Sequence, residues 1–132
     1  MRYTPEEKAR MDRLMEIFGE YVQGSKTFEI LYSEKVGFIY IDVFNDKPQG
    51  FDWIDDYEDL CENLCNEIMN DVRDLKLVGD HGSCWSSPVE IEEARRRITG
   101  YLDRIADEED RAFCFEVMEA FLAENRMKTG KV

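Results

Sequence analysis

Four side chains in the chain are of the types that hold zinc. Cys61 and Cys65 lie four residues apart, and His81 and Cys84 lie three apart beyond them. Thiolates and imidazole suit a tetrahedral zinc ion. The spacing works against such a site. Periodicity puts Cys61 and Cys65 on the apolar side of a helix, where free cysteine behaves as a small hydrophobe. Neither pair has the C-x2-C spacing of a zinc ribbon. His81 would also have to fold back about four helical turns to reach Cys61. No metal and no cofactor is expected, and Cys61, Cys65, His81 and Cys84 remain the candidate ligands should one bind.

Gly82-Ser83-Cys84-Trp85 resembles, over those four positions, the segment around the nucleophile of papain-like cysteine proteases. That family needs a histidine far downstream and a glutamine six residues upstream. Here the only histidine is His81, three residues upstream, and Val78 stands where the glutamine would. No protease is expected. A smaller role remains for Cys84 as a redox-sensitive thiol, since it lies a few residues before a helix start. Gly79-Asp80-His81-Gly82-Ser83 lacks the lysine of a phosphate-binding loop, and Asp80 would repel phosphate. The aspartates at 52, 55 and 56 miss the alternation of a calcium-binding EF-hand loop. The protein reads as a non-enzyme.

Carboxylates are the more informative group. The 132 residues carry 30 acidic and 17 basic side chains, a net charge of −13. That balance disfavours direct nucleic-acid binding, which needs lysine and arginine against phosphate. Nine of the acids fall between Asp52 and Asp74 with Arg73 as the only cation, so this stretch alone holds −8. Stepping ~100° per residue sets Asp55, Asp59 and Glu62 opposite the apolar stripe, flanked by Asp56, Glu58, Glu67 and Asp74. Those seven carboxylates would span ~29 Å, about one per 4 Å, against one phosphate per ~3.4 Å of a nucleic-acid strand. The expected partner is therefore a protein with a basic surface, engaged by a phosphate-like row. Trp53 and Met69 are the expected apolar anchors beside it. The plainer reading of the same row is a solvated face. Missing counter-charge argues for a partner, because ordinary surface helices alternate signs.

In size, acidity and mixed pattern the chain resembles the small inhibitors carried by mobile elements, such as anti-restriction and anti-CRISPR proteins. That resemblance implies an inhibitor of a nuclease or nucleic-acid-binding protein. Two other functions stay open: an adaptor that binds through an apolar helix surface or self-associates, and a small enzyme using Cys84.

The elements that would position these residues follow from local signals. Thr4-Pro5-Glu6-Glu7 predicts a helix start with a capping box, and Gly24 its stop. Thr27–Tyr32 and Val36–Phe44 read as an antiparallel hairpin, with Phe38 and Tyr40 on one face and Ile39, Ile41 and Val43 on the other. Helices are expected to cover at least one of these faces, with both covered as the alternative. Asn45–Gly50 reads as a loop. From about Trp53 to Val78 a helical stripe runs through Ile54, Tyr57, Cys61, Leu64, Ile68, Val72 and Leu75. Ser87-Pro88-Val89-Glu90 predicts a second capping box, and Asp107 the cap of a last helix. Arg95, Arg96 and Arg97 are expected to pair with acids on their own helix.

The expected fold is α+β: N-terminal helix, antiparallel β-hairpin, long acidic helix, two C-terminal helices. It is read as one domain, 1–132, with a loose tail over 127–132. No secretory signal or membrane-length apolar run is present, so a cytoplasmic protein with reduced thiols is expected. Its oligomeric state is not legible.

Overall fold

The computed structural model describes residues 2–76 and 87–130, with the side chains at 74–76 and 126–130 excepted. In chain order the elements are α1 (Pro5–Ile17), α2 (Gly19–Gly24), β1 (Phe28–Ser33), β2 (Gly37–Phe44) and β3 (Lys47–Trp53). Three helices follow: α3 (Tyr57–Lys76), α4 (Pro88–Leu102) and α5 (Glu108–Gly130). The fold is α+β. It divides into two compact units, Met1–Leu60 and Cys61–Val132, with α3 beginning in the first.

In the first unit, Thr4 Oγ1 accepts the Glu7 N–H and Pro5 opens α1. Glu7 does not complete the expected box. Its Oε2 accepts the N–H of Tyr57 instead, at 3.1 Å, so the side chain caps α3 rather than α1. The expected single helix breaks at Phe18, which is fully buried and leaves helical geometry ahead of Gly19. Gly24 ends α2 as expected.

Three antiparallel strands form the sheet, in the order β1-β2-β3. Phe28, Ile30, Phe38 and Tyr40 are buried on one face. Lys8 of α1 lies over the Tyr32 ring and Tyr21 of α2 against Phe28, so the N-terminal helices cover that side. β3 corrects the expected loop at 45–50. Asn45 and Asp46 both adopt positive φ, 51° and 64°, as a two-residue hairpin turn matching the twist of its strands requires. A bulge opposite Asp42/Val43 absorbs one residue of β3.

Pro48 is tolerated for a geometric reason. Val43 donates to Thr27, just ahead of β1, so its partner across the other side, Pro48, sits at a non-bonded pair. The missing N–H therefore falls on the free edge.

In the second unit, Ser87 and Glu90 form the expected capping box of α4. Asp107 caps α5 by accepting the Asp110 N–H. α4 and α5 are clamped by Arg95, whose guanidinium meets both carboxylate oxygens of Glu119 at 2.8 Å. α5 continues to Gly130, past the Met127 at which the sequence suggests a loose tail.

Candidate functional site

α3 starts at Tyr57, not near Trp53, because Asp56 takes the cap. Asp56 Oδ1 accepts the Asp59 N–H at 2.8 Å, and Asp59 Oδ2 accepts the Asp55 N–H at 2.9 Å. These two contacts explain part of the acid crowding. Carboxylates at a helix N-terminus satisfy orphan N–H groups and oppose the positive end of the helix dipole. Asp55 also pairs with Arg2 at 2.7 Å.

The carboxylate row is displayed in part: Asp55, Asp56, Glu58 and Glu62 are exposed and Asp59 is half-buried. On α3, Tyr57, Leu60, Cys61, Leu64, Cys65, Ile68, Met69 and Val72 are all buried, an arc of about 180° at 100° per residue. Glu67 sits at its edge, beside Leu60, and is 5% exposed. Met69, expected as a surface anchor, is wholly buried for the same reason. Beyond Glu58, the open side of α3 holds Glu62, Asn66 and Asn70, so asparagine interrupts the charge past Glu62. Asp74 lies outside the described side chains. What remains exposed together in the first unit is Asp52, Asp55, Asp56 and Glu58, at the junction of β3 with α3.

Trp53 is at the surface, but on a strand. Beside it lies a feature that sequence reasoning missed, the uncovered face of the sheet. Register puts Leu31, Ile39 and Trp53 in one cross-strand row and Glu29, Ile41 and Phe51 in the next. Leu31 is 51% exposed, Phe51 62% and Trp53 43%, while Ile39 and Ile41 are half-buried. The rings of Phe51 and Trp53 meet edge to face at 5.6 Å. A groove of about 560 Å³ runs over Ile39, Ile41 and these two rings. Clustered exposed apolar side chains of this kind mark interaction surfaces. The available signal was the alternation of Ile39, Ile41 and Val43, which showed that a second apolar face existed.

The thiols are placed as core. Cys61, Cys65 and Cys114 are buried. A hydrogen bond with the Cys114 side chain pulls the Cys61 pKa down, but the adjoining Cys65 thiol and burial outweigh it and hold the thiol well above its ordinary range. A thiol kept protonated is a poor nucleophile and metal ligand. His81 and Cys84 lie outside the described residues. Among the described residues no group of three or more His, Cys, Asp or Glu could hold a metal ion.

The arginines pair as expected. Arg95 meets Glu92, and both Arg96 and Arg97 meet Glu93. Hydrogen bonds from Arg97 and then Arg96 lower the Glu93 pKa. Among the described residues no helix is long and apolar enough to cross a membrane. No family model, curated protein or solved structure matches the chain.

Proposed function

We propose that the protein is a non-enzymatic interaction protein of the cytoplasm that binds a partner protein carrying a basic surface. One observation carries this reading. Within the first unit an open aromatic sheet face is bordered by four exposed carboxylates, Asp52 on the reverse face of β3 and Asp55, Asp56 and Glu58 beyond its end. Apolar rings supply contact area, and the acids steer association and select against acidic surfaces. The partner class suggested by the sequence, a nuclease or nucleic-acid-binding protein, is one with such a basic surface. It would be engaged through a short acidic cluster rather than a phosphate-like row along α3.

The test is partner capture from native lysate at low and high salt, with a control in which Asp52, Asp55 and Asp56 become Asn and Glu58 becomes Gln. Asn caps helices as well as Asp does, so the control keeps the start of α3. The expected result is a partner retained at low salt, released at high salt, and missing from the control. Capture insensitive to both changes overturns the charge reading.

A further inference from the structure

β3 is an edge strand, and the hydrogen bonds show which of its backbone groups face outward. Ile54 donates to Phe38, which makes that pair a bonded one. Bonded and non-bonded pairs alternate along an antiparallel ladder. Trp53 opposite Ile39 and Phe51 opposite Ile41 are therefore non-bonded pairs. Their N–H and C=O groups point away from β2, to the side where no described strand lies. The two residues that offer backbone pairing are thus the two that expose aromatic rings.

From this edge we infer that β3 is a docking strand for an extended segment of the basic partner, one whose residues alternate apolar and basic. The inference rests on the reading above and names what the partner presents. A strand added beside β3 would bond to Phe51 and Trp53 and continue the sheet. Its side chains would alternate between the two faces. Those on the open face extend the apolar surface of Leu31, Ile39, Phe51 and Trp53. Those on the reverse face meet Asp52, which is exposed there beside Tyr40 of β2. Asp55 and Asp56 wait beyond the end of the strand, while the only cation of β3, Lys47, sits at the opposite end.

Charge also selects the occupant. A second copy placing its own β3 here would bring Asp52 against Asp52 or its neighbours in a chain of net charge −13. Pro48, whose ring occupies the free edge, shortens the stretch available for self-pairing. A cationic partner strand avoids the charge clash and needs only the stretch from Phe51 to Trp53, beyond the proline.

The experiment pans a random twelve-residue peptide library on the whole protein, then measures the enriched peptides by fluorescence anisotropy. Two variants are compared: Phe51→Ser, at a surface position that leaves the core intact, and the four-carboxylate control. Expected is enrichment of alternating apolar and basic residues. Affinity should fall at least tenfold with Phe51→Ser and with N-methylation of alternate peptide amides. The control should weaken binding and flatten its salt dependence. Basic peptides without alternation, sensitive to the carboxylates but not to Phe51→Ser, would overturn the docking strand and leave the proposed function standing. Alternating peptides without basic residues, indifferent to the carboxylates, would overturn both the partner's charge and the reading beneath it. Enrichment of nothing overturns the docking strand. So does self-association in sedimentation that Phe51→Ser abolishes, which would assign the edge to a second copy.

Discussion

The hydroxyl of Tyr3 donates to the carbonyl of Ile54 at 2.6 Å and accepts the N–H of Phe38 at 2.9 Å. Ile54 in turn donates to the Phe38 carbonyl. A closed antiparallel pair would use a second direct bond between these residues. The phenol is inserted in its place, so a side chain from the N-terminus closes the ladder between β2 and the residue that follows β3.

Tyr3→Phe keeps the ring and removes the bridge. It leaves the buried Phe38 N–H and Ile54 carbonyl to find other partners. A loss of about 1–3 kcal/mol is expected in urea denaturation, with faster amide exchange at Phe38. Stability unchanged within ~0.5 kcal/mol would show that the pair closes directly without the phenol.

The same bridge has a pH signature. Burial pushes the Tyr3 phenol above its ordinary pKa. Above pH ~10 the unfolded chain ionises this residue first. The unfolded state is then the one losing protons, so stability falls as pH rises from about 10 toward the folded pKa. The wild-type chain should lose stability more steeply than Tyr3→Phe over that window, measured as the denaturation midpoint against pH. Parallel profiles would count against the assignment.

Gly37 is constrained twice. Its φ is +89°, and a Cβ there would lie 2.6 Å from the Tyr3 hydroxyl oxygen. Gly37→Ala therefore combines backbone strain of about 1–3 kcal/mol with displacement of the phenol. A drop in thermal midpoint larger than that of Tyr3→Phe is expected. The double variant should recover only the hydroxyl's share of the loss, because the ring's Cζ would still lie 2.8 Å from the new Cβ.

Cys61, Cys65 and Cys114 should resist iodoacetamide in the native protein and react once it is unfolded, as read by peptide mass mapping. Native labelling of Cys61 at a rate near that of a free thiol would contradict its burial and raised pKa.

Legibility in the sequence followed the range of the interactions. Ser87-Pro88-Val89-Glu90 and Asp107 were readable because a cap is made by neighbours three residues apart. β3 was not readable, since Asn45, Asp46, Pro48 and Gly50 are loop residues by composition. They are strand-compatible only when the turn takes two positive φ values and the proline meets a free edge. Glu7 satisfied its local pattern on paper, yet bonds to Tyr57, fifty residues away. Glu67 and Met69 were assigned to the surface of α3 from a narrow stripe, whereas packing closes over a much wider arc. The open sheet face was legible only in part. The alternation at Ile39, Ile41 and Val43 showed the face, but its exposure depends on which elements cover it.

The bonds that close the first unit join its two ends: Tyr3 to Ile54, Glu7 to Tyr57 and Arg2 to Asp55. These three bonds span 53 residues (Arg2 to Asp55), 51 (Tyr3 to Ile54) and 50 (Glu7 to Tyr57). Contacts of that range form only after a long loop has closed, so the N-terminal segment is expected to lock onto the sheet late in folding.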